Sequence, residues 1–100
     1  MSFFGHTDSV TCGGFTNDGK YLVTGSEDMT VKTWDLKNNS LITTIKGVKF
    51  HQSPITVMAI AKNKNIIATG GLSNEIAISN AESGNVKKQL LNIYFFFIFN

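Results

Sequence analysis

Residues 5–35 read GHTDSVTCGGFTNDGKYLVTGSEDMTVKTWD, and this stretch decides the fold. Its apolar and β-branched residues fall in short runs separated by turn formers. Residues 9–15 make a first strand that ends at Asn17-Asp18-Gly19, a strong hairpin signal because Asn, Asp and Gly tolerate positive φ. Residues 21–26 form the second strand, Glu27-Asp28-Met29 reverses the chain, and residues 30–35 form the third. Beyond the polar Lys37-Asn38-Asn39 loop, residues 41–45 are rich in Ile and Thr and suit an outer strand. No stretch shows a helical period, so the class is all-β.

The chain repeats this plan. At an offset of 45 residues His6 falls on His51, Val10 on Ile55, Thr11 on Thr56, Phe15 on Ile60, Thr24 on Thr69 and Gly25 on Gly70. Val31 and Thr33 fall on Ile76 and Ile78, so strand alternation is preserved along with composition. The second unit's strands are expected at 55–60, 66–70, 75–79 and 86–90, with Pro54 just ahead of the first, where a missing N–H does least harm. A period of about 40–45 residues with four strands marks the blades of a β-propeller. Two four-stranded antiparallel blades are expected, at 5–46 and 47–90. A ring needs about 4–8 blades, so these two leave it incomplete and not closed. Closure calls for further blades or another chain, and the sequence reads as a fragment or truncated gene model. Glycine weakens a strand interior, and Gly13-Gly14 suggests a close approach near a central channel.

Gly5-His6 and Trp34-Asp35, bracketing three strands at this spacing, resemble one full WD repeat. The resemblance implies a buried hydrogen-bonded tetrad of His6, Thr24, Asp28 and Trp34. In it the carboxylate orients the imidazole, which meets the hydroxyl, which meets the indole N–H. Buried polar groups need such partners, since each one left without costs about 1–3 kcal/mol. An Asp–His–Thr series also looks like a hydrolase triad, but Thr24 lies inside a strand and away from any oxyanion hole, so no catalytic residue is assigned. His6 and His51 belong to different blades, and no close Cys/His pair seeds a metal site. No phosphate-cradling loop is present, so no cofactor or metal is expected.

The second unit departs from the pattern. At the tetrad positions it has His51, Thr69, Ser73 and Ser79, with Asn80 in place of Asp35. Its relay is expected to be broken at both ends, and its turn between second and third strands to be more mobile. The resemblance also implies that loops leading into the first strand and joining second to third form one protein-binding rim. That rim would carry Thr7, Asp8, Glu27, Asp28 and Met29 from blade one, and Gln52, Ser53, Leu72 and Asn74 from blade two.

Charged residues make up 16% of the chain and the net charge is +2, too mild for a nucleic-acid tether. All nine basic residues are Lys, which argues against a site that reads phosphates or bases through the guanidinium fork. The single cysteine, Cys12, has no disulfide partner in the chain, and residues 1–4 do not read as a secretory leader. The Asn38-Asn39-Ser40 acceptor pattern is then incidental, and a cytoplasmic location is expected. Residues 91–100, LNIYFFFIFN, break the repeat with no charge and are too short to cross a bilayer, which takes about 20 residues. They read as an apolar tail not native to the fold, and no membrane partner is expected.

Residues 36–86 narrow the resemblance. The extended linker before His51, the His51-Gln52-Ser53-Pro54 run with Thr56, and a third strand lacking Trp are similar to the angio-associated migratory cell protein family. That likeness implies a protein-interaction scaffold, with a role in ribosome assembly and a ribosomal protein among its partners. Other readings are a non-functional truncated product and a subunit of a propeller enzyme.

Overall fold

The computed structural model describes residues 5–47, 50–61, 65–73 and 75–90; Asn74 and the apolar tail 91–100 lie outside the described residues. Eight strands follow in order: β1 (Val10–Phe15), β2 (Tyr21–Ser26), β3 (Val31–Asp35), β4 (Ser40–Ile45), β5 (Ile55–Ile60), β6 (Ile66–Gly71), β7 (Ile76–Asn80) and β8 (Val86–Leu90). They form two four-stranded sheets, β1-β2-β3-β4 and β5-β6-β7-β8, with every neighbouring pair antiparallel. No helix is present among the described residues, and the two sheets do not close into a ring. Strand ends differ from the sequence expectation by a residue, as fraying at turns allows.

The repeat extends to the irregularities. A bulge falls between Val10 and Cys12 in β1 and between Ile55 and Val57 in β5. A second falls between Thr33 and Trp34 in β3 and between Ile78 and Ser79 in β7. Bulges re-aim side chains and raise twist, so both sheets are bent at matching places. The first hairpin turns at Gly19 with φ of 74°, where an L side chain would be strained.

Side chains alternate between the faces of each strand, and pairing register sorts them. One face of the first sheet carries Cys12, Gly14, Val23, Gly25, Val31 and Ile45. The second sheet presents Met58, Ile60, Ile67, Thr69, Ala77 and Ser79. The core lies between these faces: Val23, Val31, Ile45, Phe50, Ile55, Ile67, Ala77 and Ala81 are buried there, with Cys12, Met58, Ile60 and Val86 packed against them. The sheets come close enough to need glycine. A Cβ on Gly14 would stand 3.0 Å from Ile60 Cδ1, and one on Gly25 would stand 2.7 Å from Cys12 Sγ and 3.1 Å from Ile55 Cγ2. The close approach at Gly14 is therefore made to the neighbouring blade. The Thr11 hydroxyl adds a polar tie by donating to the carbonyl of Ile55 at 2.5 Å.

Candidate functional site

The loop before β1, strands β2 and β3 and the turn between them bring His6, Thr24, Asp28 and Trp34 together on the face of blade one turned away from blade two. His6 Nδ1 lies 2.9 Å from Asp28 Oδ2 and His6 Nε2 lies 2.8 Å from Thr24 Oγ1. Trp34 Nε1 donates to Thr24 Oγ1 at 2.9 Å. An ionised carboxylate only accepts, so Nδ1 carries the imidazole proton and Nε2 accepts from the threonine hydroxyl. Protons thus point one way, from Trp34 through Thr24 and His6 to Asp28. Thr24 has its hydrogen committed to the imidazole and a lone pair to the indole, an arrangement that orients a fold.

Asp28 gathers further donors. The backbone N–H of Thr7 reaches Oδ2 at 3.0 Å, while the N–H and hydroxyl of Thr30 reach Oδ1 at 2.9 and 2.5 Å. Burial raises its pKa, but the hydrogen bonds from Thr30, His6 and the Thr7 amide outweigh burial and bring it down to about 2. Ser26 holds the turn from below, accepting from the Asp28 N–H at 3.0 Å and donating to the carbonyl of Ser9 at 2.9 Å.

Blade two keeps only the middle bond of the relay, as expected from a relay broken at both ends, and sets other groups around it. His51 Nε2 meets Thr69 Oγ1 at 2.8 Å, repeating the first blade. Its Nδ1 faces Glu75 Oε1 at 3.2 Å, off the axis of a hydrogen bond. The acid therefore comes from the position of Thr30, two residues beyond that of Asp28, and the longer side chain reaches back. Glu75 also accepts from the Ser53 hydroxyl at 2.5 Å and, more loosely, from the Gln52 N–H at 3.5 Å. Room for it exists because Gly71 replaces Ser26: a Cβ there would stand 2.5 Å from Glu75 Oε1, 2.8 Å from Ser53 Oγ and 3.0 Å from His51 Nδ1. The hydroxyl lost at that position returns from Ser53, which accepts from the Ser73 N–H at 3.2 Å.

At the indole end the ring is replaced but its N–H is not. Ser79 stands where Trp34 does, and its hydroxyl is buried without a partner among the described residues. Phe50, one repeat after Gly5, is fully buried and packs edge-on to His51 with ring centroids 4.6 Å apart. In blade one the edge-on ring against His6 is Trp34, at 6.4 Å, and a Cβ on Gly5 would stand 3.0 Å from Trp34 Cη2. One aromatic ring fits beside each histidine; blade one takes it from β3 and blade two from the loop before β5.

Burial pushes the His51 pKa below its usual range, against the opposing pull of Glu75. Burial would raise Glu75, but its bonds from Ser53 and the Gln52 amide, with the His51 ring close by, hold it below the usual carboxylate range. Sequence reasoning missed Glu75, Phe50 and Gly71. A lone acid next to an apolar strand, in the SNEIAIS segment, was the available signal.

On the rim, Thr7, Asp8, Glu27, Met29, Gln52 and Leu72 are exposed. Ser53 is not a rim residue: it is buried and spent on Glu75 and Ser73. Met29 holds a φ of 72° and is 41% exposed, while Leu72 is 66% exposed. Between the blades a shallow groove is lined by Met29, Lys46, Gly47 and Gln52, with Asp28, Thr30 and His51 at its sides. Burial pushes the Cys12 thiol up, away from the reactive thiolate form. Among the described residues no group of three or more His, Cys, Asp or Glu could hold a metal ion, and no helix is long and apolar enough to cross a membrane.

Comparison with known proteins bears on both blades. The family model "WD domain, G-beta repeat" matches residues 1–35. The chain is 38% identical over 85 residues to the human angio-associated migratory cell protein, covering 85% of the chain and 20% of that protein. It is 42% identical over 64 residues to the target of rapamycin complex subunit wat1 of Schizosaccharomyces pombe, covering 64% of the chain and 19% of that protein. Among solved structures, the RRP9 WD40 repeats superpose with a TM-score of 0.79 at 19% identity, over 88% of this chain and 26% of that one. The chain thus spans about a fifth of the length of these curated relatives.

Proposed function

Because this chain belongs to the WD-repeat family, we propose that it acts as a protein-interaction scaffold through the rim where the two blades meet. The observation that carries this is the pairing of exposed apolar side chains with a rigid frame. Met29 and Leu72 stand out into solvent on turns anchored from beneath by the two buried acid–histidine pairs. A non-glycine residue held at positive φ costs of order 1–3 kcal/mol and persists where surroundings fix it. Here Asp28 and Ser26 fix the Met29 turn.

A similar protein is by name a subunit of a target of rapamycin complex, which fits a role in assemblies. We extend the reading to ribosome assembly, with a ribosomal protein among the partners, on the likeness to the angio-associated migratory cell protein over 85 residues. A cytoplasmic setting belongs to the same proposal.

The test is site-specific photo-crosslinking in cells, with a crosslinking amino acid at Met29, at Leu72 and, as a control, at Ile42 on the outer strand. The reading expects discrete protein adducts from the two rim positions and none from Ile42. Equal labelling at all three positions, or none at the rim, sinks it.

A further inference from the structure

The edge opposite the rim, where β1 turns into β2 and β3 into β4, carries a second difference between the blades. In both, one backbone bond pins the two turns together: Leu36 N–H to the Lys20 carbonyl at 3.1 Å, and Ala81 N–H to the Asn65 carbonyl at 2.7 Å. In both, an Asx turn shapes the next residues. Asp35 Oδ1 accepts from the Lys37 N–H at 2.8 Å, and Asn80 Oδ1 accepts from the Glu82 N–H at 2.9 Å. Lys20 and Lys37 therefore occupy the places of Asn65 and Glu82.

Their side chains do opposite things. In blade two Asn65 Nδ2 donates to Glu82 Oε2 at 2.8 Å and bridges the cleft between the turns. In blade one both positions are lysine, two donors of like charge with no acceptor to share. The cleft remains a half-open pocket of about 290 Å³ lined by Gly19, Lys20, Tyr21, Asp35 and Lys37. Among the described residues Asp35 is the acid of that lining, drawn into its own turn by the amides of Lys37 and Asn38 and by Asn38 Nδ2 at 3.1 Å, while Asp18 in the neighbouring turn accepts from the Lys20 N–H at 3.0 Å. Lys20 and Lys37 line the cleft beside Tyr21, their charges felt by Asp18 and Asp35 but with no carboxylate among the described residues bridging the two turns as Glu82 does in blade two.

We propose that this pocket binds an acidic segment of a partner protein, a carboxylate bridging Lys20 and Lys37 as the Glu82 carboxylate joins the turns of blade two. The occupant is a carboxylate because that is the group the same cleft accepts in the second blade. A nucleic acid fits less well: two lysines form a small footprint, and the chain has no arginine to grip phosphates in a fork. The site lies on the opposite edge from the rim and does not depend on the rim's function.

Hexaglutamate is the probe, titrated into the ¹⁵N-labelled full chain, with hexaglutamine and hexauridylate in parallel. Amide shifts at Lys20, Tyr21 and Lys37 are expected with hexaglutamate alone. Lys20→Asn combined with Lys37→Glu copies the bridge of blade two into blade one. It should weaken binding roughly tenfold or more, as loss of hydrogen bonds to a charged group does, while the remaining spectrum reports an intact fold. The reverse pair, Asn65→Lys with Glu82→Lys, should add a second set of shifts around residues 65 and 82. Unchanged binding in the first double variant, shifts confined to other residues, or no shifts at all overturns the proposal. Tighter binding of hexauridylate at the same residues overturns it in favour of RNA.

Discussion

Blade one and blade two hold the same histidine–threonine pair at nearly the same distances, 2.8 Å in each, yet almost everything around that pair differs. Gly5 and Trp34 become Phe50 and Ser79; Asp28 and Thr30 become Ser73 and Glu75; Ser26 becomes Gly71; Asp8 becomes Ser53. Taken singly, each change removes a ring, a carboxylate or a hydroxyl. Taken in pairs, each lost ring, carboxylate or hydroxyl is answered by a neighbour at another backbone position, although the indole N–H and the bond at the histidine Nδ1 are not. What the repeat preserves is a set of groups around the imidazole: one aromatic edge, one carboxylate and one hydroxyl under the turn. The two blades also differ in placement, because the tetrad face of blade two is packed on blade one and the matching face of blade one is turned away from blade two.

The aromatic exchange is the place to break this comparison hardest. Phe50→Gly should destabilise blade two by about 4 kcal/mol, as removal of a buried phenyl ring does. Ser79→Trp alone should also destabilise, by about 1–3 kcal/mol, because the indole enters space that Phe50 fills. Combined, the two should recover much of the loss by reproducing the Gly5–Trp34 arrangement. Urea titration of all three variants measures this; strictly additive losses would end the idea that position 50 and position 79 share one ring.

Room for the acid comes next. Gly71→Ala sets a methyl group against Glu75, Ser53 and His51 and should cost about 2 kcal/mol. Adding Glu75→Ser should relieve most of that cost, since the group met most closely is then gone. Urea midpoints that show no relief would place the strain elsewhere, in Ser53 or His51.

Protonation separates the blades by pH. Asp28, at about 2 against an ordinary 3.8, contributes on the order of 2 kcal/mol that is fully present above about pH 4 and lost as pH falls through about 2. His51 is held below its ordinary 6.5, so the unfolded chain takes up that proton first and stability falls as pH drops below about 6.5. Glu75, held below its ordinary 4.5, adds a further loss at lower pH. Hydrogen exchange, corrected for intrinsic rates, should therefore begin to accelerate in β5–β7 as pH falls below about 6.5, with β1–β3 following only below about pH 4. Simultaneous opening of both sheets contradicts the assignment.

Much of the architecture was legible in the sequence because it rests on local signals: alternating β-branched runs, Asn17-Asp18-Gly19, and a 45-residue period that carries even the bulges. The tetrad of blade one was legible through Gly5-His6 and Trp34-Asp35. The site of blade two was not, since a column-by-column alignment sees Ser73 and Ser79 as losses. Glu75 reaches its place through side-chain length, and Phe50 through the room left by a smaller residue across the sheet. Such compensation acts through space, between positions that no single alignment column joins. Ser53 was misplaced on the rim for the same reason: its burial follows from Glu75, whose role the sequence did not disclose.

The smallest effect concerns the turn of blade two, expected from sequence to be looser than that of blade one. In blade one the hydroxyl under the turn belongs to Ser26 and serves the Asp28 amide and the Ser9 carbonyl, while Asp28 draws its other donors from Thr7, Thr30 and His6. In blade two the single hydroxyl of Ser53 serves both the Ser73 amide and the Glu75 carboxylate. Removing it therefore uncouples two groups at once. Ser53→Ala should cost about 1–2 kcal/mol, speed exchange of the Ser73 amide and raise the Glu75 pKa together. Ser26→Ala should speed the Asp28 amide by a similar factor while leaving the Asp28 pKa near 2, because its direct donors are untouched. Carboxyl titration by NMR distinguishes the cases: equal pKa responses in the two variants would mean the acids are held alike, and the rewiring of blade two would be one of residue names alone.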